Sequence, residues 1–373
     1  MNPFKYGCIV DGGYFCARPK LAKQLSDYIA SGQNLVVQGE RRIGKSSLVT
    51  NTIAKIRGYR MLYVDFMDVR TVADVCNQIA DALARFEAED SFFKRTVAML
   101  SHLRPTVTVD AMTGMPTISV DSRAAQDTSS VNTMFNAIAD HVKGRKACVV
   151  FDEFQDILEV RDGKRIIAMM RSKIQFLSDT PFIFLGSARN AMLDIFMSPK
   201  SPFYKSATVF DVNPIPDEDF YRFISGRFKT GGRRLSRDVF AKMLAFARRT
   251  PGDVQEYCDA VWQVTSSGDE VTDGSLELAL RRIFERESSS FSAFARRLTD
   301  IQFRVLRTLA VLGGEHPLSG EFLRMADVAN SASVKRALNA LSAADLIYNI
   351  GGEYKFVSPF FREWVRRIKA RGN

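Results

Sequence analysis

The sequence predicts an α/β fold in three parts: a parallel sheet with helices on both faces, then an α-helical lid subdomain, then a winged-helix domain. Three observations predict it. Up to about Asp211, short apolar runs alternate with stretches of helical period. After Asp217 the pattern is helical, punctuated by Gly231-Gly232 and Ser266-Ser267-Gly268. From Leu298 a compact tail of helices closes on two short apolar runs around Gly351-Gly352. The expected boundaries are 1–213, 214–290 and 291–373. A length of 373 residues suits two or three domains at about 100–200 residues each.

Leu35-Val-Val-Gln-Gly39 is a short apolar run that stops at glycine, the mark of a buried parallel strand. Lys45–Ile56 follows as a helix, Met61–Phe66 as a strand and Val72–Phe86 as a helix. The pattern then breaks. Pro105–Asp110 and Pro116–Asp121 both alternate with period two, which predicts a β-hairpin insertion over about 104–122. Ala147–Phe151, Phe182–Leu185 and Ala207–Val212 complete the strands of the sheet. The lid helices are expected over Asp217–Lys229, Ser236–Ala247, Val254–Thr265 and Ser275–Ser288, with Glu287–Ser292 as a linker. Helices Thr299–Leu312, Gly320–Met325 and Ser331–Ala343, then strands Leu346–Ile350 and Tyr354–Val357, make a winged helix-turn-helix.

Composition narrows the function. Hydrophobic residues are 46% and charged residues 25%, the balance of a soluble globular chain rather than a disordered or fibrous one. No apolar run approaches the ~18 residues of a membrane span. The N-terminal residues lack a basic region followed by an apolar stretch, so the expected location is cytoplasmic, with no membrane partner. The five cysteines form no CxxC pair and the three histidines are far apart in sequence. A disulfide framework, a zinc site and histidine-based metal catalysis all lack support. The net charge of +10 allows an acidic partner such as nucleic acid, and equally suits a basic face around phosphate.

Gly39-Glu-Arg-Arg-Ile-Gly44-Lys45-Ser46 matches GxxxxGK[ST] between an expected strand and an expected helix. The match predicts a phosphate-binding loop. Its glycines let backbone N–H groups curl around phosphate, and the helix N-terminus adds the positive end of a dipole. The cradle is expected to be Gly39, Arg42, Ile43, Gly44, Lys45, Ser46 and Ser47. Lys45 is expected to neutralise the β- and γ-phosphates, and the Ser46 hydroxyl to ligate Mg2+. The acidic half is Val149-Val-Phe-Asp152-Glu153, at the end of a buried strand. Asp152 is expected to hold Mg2+ through water, and Glu153 to orient and polarise the attacking water. Gly186-Ser187-Ala188-Arg189 ends the next strand, where polar groups line a ligand crevice. Ser187 or Arg189 there would sense the γ-phosphate. Arg249-Thr250-Pro251 opens a lid helix, which by itself is ordinary helix-start chemistry.

These motifs resemble the prokaryotic ATPase-domain family, in the STAND branch of AAA+-like P-loop NTPases with a C-terminal winged helix. The resemblance rests on Gly39–Ser46, Val149–Glu153, Gly186–Arg189 and Arg249–Pro251. It extends to Phe4–Gly7, Ile174-Gln175, Ser201–Tyr204 and Ser358–Trp364, so it spans nearly the whole chain. It implies ATP or ADP with Mg2+, and a site where sheet domain, lid and winged helix meet. By position, it makes Arg189 the sensor arginine, Pro251 the proline near adenine, and Phe15 and Arg18 the N-terminal box. Arg249 and Ala17 stand where the family commonly has glycine, and Gln255 lies where related origin-recognition ATPases tend to place a second sensor arginine.

Two functions follow. One is an Mg2+-dependent ATPase whose cycle moves lid and winged helix; the other is a nucleotide-held interaction module with negligible turnover. Lys335 and Arg336 lie near the start of the expected recognition helix, with Arg296, Arg297, Arg304, Arg307, Arg362, Arg366, Arg367, Lys369 and Arg371 adding charge. Duplex DNA on this face, and an intramolecular lock or protein partner, are equally open. So is a homo-oligomer. Mobile-element control, or defence against it, is the context the resemblance suggests.

Overall fold

A computed structural model describes residues 2–86, 96–109, 111, 116–125, 127–187 and 189–368. The chain forms two compact units, Ile9–Asn213 and Met1–Cys8 with Pro214–Asn373. The first unit carries strands β1 (Leu35–Gln38), β2 (Arg60–Asp65), β3 (Thr106–Val109), β4 (Pro116–Ser119), β5 (Ala147–Asp152), β6 (Phe182–Leu185) and β7 (Thr208–Asp211). The main sheet runs β2-β5-β6-β1-β7, and every neighbouring pair is parallel.

Strand alternation explains why both faces are covered. On β5, Ala147, Val149 and Phe151 enter a core with Phe154, Phe182, Phe184, Phe196 and Phe203. Cys148 and Val150 point the other way, toward Leu25, Ile29, Leu48 and Ile53 from helices Pro19–Ala30 and Lys45–Ile53. The continuous apolar runs in the sequence are therefore strands buried on both faces. The insertion is an antiparallel hairpin, with Thr106 opposite Ser119 and Val109 opposite Pro116. Residues 110 and 112–115, expected near its tip, lie outside the described residues.

The second unit opens with helices Asp217–Thr230, Arg237–Phe246 and Pro251–Val264. The third starts at Pro251 rather than Val254, because proline suits a first helical turn where its missing N–H is not needed. Helix Asp273–Arg297 overturns the expected linker at Glu287–Ser292. Serine favours helix weakly, yet Phe291 and Ala295 are buried one turn apart, with Phe291 5.2 Å from Phe361 and 5.6 Å from Trp364. Packing outweighs local propensity, and position 290 lies inside a helix.

Helices Asp300–Leu312, Gly320–Ala326 and Ser331–Ala343 precede an antiparallel wing of β8 (Ile347–Ile350) and β9 (Glu353–Phe356). A final helix, Pro359–Arg367, joins this winged helix to the lid helices. Phe360 lies 5.5 Å from Phe246 and 6.0 Å from Tyr257, and Arg367 pairs with Glu277 at 2.5 Å. The N-terminal residues belong to this unit too: Phe4 lies 5.1 Å from Phe228, and Asn2 Nδ2 donates to Asp259 Oδ1 at 2.6 Å.

Candidate functional site

The loop between β1 and helix Lys45–Ile53 is shaped by its backbone. Gly44, at φ +91°, takes the left-handed region at the helix start, where a side chain would be strained. Arg42 also lies at positive φ, +61°. Lys45 is 6% exposed, and its Nζ donates to the carbonyls of Gly39 at 3.1 Å and Glu40 at 3.2 Å. Burial pulls this ammonium below the usual lysine range, while Glu153 and Asp152 draw it back up.

Asp152 is the last residue of β5 and is 6% exposed. Its Oδ2 accepts from Ser46 Oγ at 2.5 Å and from the Tyr63 hydroxyl, and its Oδ1 accepts from the Glu153 amide at 2.9 Å. Loop and acidic strand end, 106 residues apart, thus meet through one hydrogen bond. Glu153 sits at φ +46°, unusual for a residue with a side chain. Its Oε2 accepts from Gln155 Nε2 at 2.7 Å, Ser187 Oγ at 2.8 Å and Ser187 N at 3.2 Å. A Cβ on Gly186 would come within 2.5 Å of Gln155 Oε1 and of Met192 Cγ, so glycine lets the end of β6 approach this cluster.

The other expected residues fall in several places. Ile43 is buried, and its carbonyl accepts from Arg18 Nη2 at 2.5 Å. Arg18 Nη1 donates to the Asn213 carbonyl at 3.2 Å; burial lowers this guanidinium to about 10. Arg18 thus braces the phosphate loop from behind, through backbone carbonyls. Ser47 Oγ accepts from the Val10 amide at 3.1 Å, and Asn51 Nδ2 donates to the Val10 carbonyl at 2.7 Å, fastening the N-terminal segment to the loop's helix. Phe15 packs against the core beneath that helix. Pro251 is buried at the first position of its helix in the second unit. Arg189 opens helix Arg189–Phe196, and its side chain lies outside the described residues, as does Ala188.

Residue-by-residue reading missed Tyr63, Asp65, Gln155 and Asp156. The rule that polar residues at strand ends line the crevice, applied to β2, finds Asp65, which stands opposite Asp152 in the pairing register. Burial raises the Asp65 carboxyl, with Asp152 and Glu153 raising it further, and burial likewise raises Asp156. Tyr63 is raised by burial and by the Asp152 charge, which keeps its proton available to donate.

Among the described residues, no group of three or more His, Cys, Asp or Glu side chains could hold a metal ion. The hydroxyl of Ser46 and the carboxylate of Asp152 are hard oxygen donors that fit Mg2+, which protein sites commonly bind through one or two carboxylates plus substrate phosphates.

On the winged helix, Lys335 and Arg336 are exposed on helix Ser331–Ala343. Lys335 lines a cavity of about 550 Å3 with His316, Leu338, Asn349 and Tyr354. Several other cations have local partners: Arg304 pairs with Asp327 at 2.8 Å, Arg366 with Glu363 at 2.6 Å, and Arg362 Nε donates to the Ala310 carbonyl at 3.2 Å. Lys369 and Arg371 lie outside the described residues.

A family model described as "Probable winged helix domain" matches residues 289–367. No curated protein matches the sequence. Among solved structures, the chain is similar to a Walker-type ATPase of Pyrococcus abyssi, at 16% identity and TM-score 0.59, covering 95% of this chain and 97% of that one. It is similar to the ORC2 protein of Aeropyrum pernix in its ADPNP–ADP complexes, at 12% identity and TM-score 0.53, covering 97% and 96%. It is also similar to the ORC1 protein of Aeropyrum pernix in complex with DNA, at 14% identity and TM-score 0.51, covering 94% and 91%. At such identities the likeness is one of fold: an α/β ATPase-type sheet domain followed by helices and a winged helix. Among the described residues no helix is long and apolar enough to cross a membrane.

Proposed function

We propose that this chain is an Mg2+-dependent ATPase of the STAND or AAA+-like kind, whose nucleotide state sets the position of lid and winged helix. The observation that carries this reading is the 2.5 Å hydrogen bond from Ser46 Oγ to Asp152 Oδ2, which unites the phosphate loop and the acidic strand end. Gly39, Arg42, Ile43, Gly44 and Ser47 would shape the cradle around ATP or ADP. Lys45 would leave the Gly39 and Glu40 carbonyls to neutralise the β- and γ-phosphates. Ser46 and Asp152 would hold Mg2+, which offsets charge on the transferring phosphoryl group. Glu153 would orient a water and take its proton as the oxygen attacks the γ-phosphorus and the bond to ADP breaks. Arg189 would sense the γ-phosphate, and Phe15 and Arg18 would serve the nucleotide's base side. The functional parts would be residues 1–213, 214–290 and 291–373.

One observation favours the alternative, a nucleotide-held module with negligible turnover. Glu153 Oε2 already accepts three hydrogen bonds, from Gln155 and Ser187, so this oxygen is committed to protein donors rather than to a water. Nucleotide titration and phosphate release on the purified chain decide between them. Lys45→Ala is expected to abolish binding of ATP and ADP. Glu153→Gln is expected to keep ATP bound and cut turnover about 100-fold or more. Wild-type turnover by Glu153→Gln would refute the catalytic role, and failure of the wild type to bind ATP would refute the reading as a whole. The partner of the winged helix would be duplex DNA, or the surface would lock the chain or meet a protein or a second copy. A cytoplasmic role in mobile-element control or defence fits this scheme.

A further inference from the structure

Two hydroxyls converge on one oxygen of Asp152. Ser46 belongs to the phosphate loop; Tyr63 belongs to no motif. Tyr63 lies on β2 opposite Val150 of β5, and Asp65 lies opposite Asp152. Its ring packs on the core formed by Val150, Leu48 and Ile53, beneath the helix that follows the phosphate loop. From that anchored ring the phenol reaches Asp152 Oδ2. Ionised carboxylates offer about four acceptor sites. In this structure Glu153 N bonds Oδ1 while Ser46 Oγ and the Tyr63 phenol bond Oδ2, so both oxygens of the group are held.

We propose that Tyr63 is the positioning residue of the metal site, holding the Asp152 carboxylate in the orientation that Mg2+ bound with ATP requires. This rests on the reading of the site as an Mg2+–ATP site. The Ser46 oxygen can ligate a cation while its proton stays with Asp152, so Tyr63 need not move when metal arrives. With its phenol removed, Asp152 would lose its only partner from β2 among the described bonds and could turn away from the metal position. Tyr63 touches neither phosphate nor water in this scheme; it acts through Asp152.

The test is an equilibrium titration of the full chain with a fluorescent ATP analogue, in EDTA and at rising MgCl2. Tyr63→Phe is expected to raise the Mg2+ concentration for half-maximal tightening by roughly 10-fold, the low end of what loss of an outer-shell partner does to metal affinity. Affinity in EDTA should change less than about twofold, since the phosphate cradle is untouched. In an Asp152→Asn background, Tyr63→Phe should add no further shift, because its effect passes through that carboxylate. An unchanged Mg2+ midpoint, equal weakening with and without metal, or additivity with Asp152→Asn would each overturn the proposal. If wild-type binding ignores Mg2+, the Mg2+–ATP reading falls and takes this inference with it. Should Tyr63→Phe not fold, Tyr63→Met fills the same core space without a donor and carries the same comparison.

Discussion

Arg189 opens a helix just beyond β6, and β6 lies between the strand ends that carry Asp152 and the phosphate loop. If Arg189 senses the γ-phosphate, it favours a third phosphate over two. Arg189→Ala is therefore expected to weaken ATP about 10-fold or more relative to ADP, since a charged hydrogen bond contributes about 1.5–3 kcal/mol. Paired titrations with ATP and ADP measure it, and equal loss for both would make Arg189 a general phosphate contact. Residues differ in how readable they are. Ser46 and Asp152 were legible because a spaced motif names them. Tyr63 was not, because nothing local distinguishes it from an aromatic core residue of a strand; only its reach to Asp152 does. Arg18 is intermediate, marked by resemblance as a nucleotide-side residue and found donating to the Ile43 and Asn213 carbonyls.

Helices supply the next scale. Helix Thr128–Val142 is capped by Asp127, whose carboxylate accepts from the amides of Ser129 and Ser130. These bonds, with the Ser129 hydroxyl, hold its carboxyl below the usual range. A lowered pKa in the folded chain stabilises above the unfolded value, and that contribution is lost as pH falls through the folded value. Asp127→Ala should cost about 1 kcal/mol at neutral pH, and the gap to wild type should close in acid. Thermal midpoints of both proteins between neutral pH and pH ~3 check the sign. Helix Ser331–Ala343 of the winged helix poses a different question. If Lys335 and Arg336 touch DNA phosphates, alanine at both should flatten the log–log salt dependence of duplex binding by about two units. An unchanged slope with faster basal turnover or weaker ADP binding would point to the lock instead. The ion pairs of Arg304, Arg366 and Arg367 narrow the basic face to fewer cations than composition suggests.

At the scale of the whole molecule, lid helices and winged helix form one compact unit. The joint runs through Phe360, packed against Phe246 and Tyr257, and through helix Asp273–Arg297, which crosses the expected boundary. Both tryptophans, Trp262 on a lid helix and Trp364 on the final helix that makes the joint, lie in this unit. Tryptophan fluorescence should therefore report a single unfolding transition. Phe360→Ala should lower it by about 3–5 kcal/mol of stability. Two separated transitions in the wild type would show lid and winged helix to be independent.

The sequence by itself determined the strands of the main sheet and its two buried faces, the phosphate-loop motif and the acidic strand end. Each is written in local period or spacing: unbroken apolar strands, GxxxxGKS, and Val-Val-Phe-Asp-Glu. Tertiary structure decided the rest. The order β2-β5-β6-β1-β7 sets Tyr63 and Asp65 beside Asp152, and the end of β6 against Glu153. Those neighbours are 34 to 89 residues apart in the chain, so no local pattern encodes them. The serine-rich stretch became helix for the same reason. Burial of Phe291 against Phe361 and Trp364 outweighs the weak local preference of four serines, and that burial exists only once the final helix has folded back.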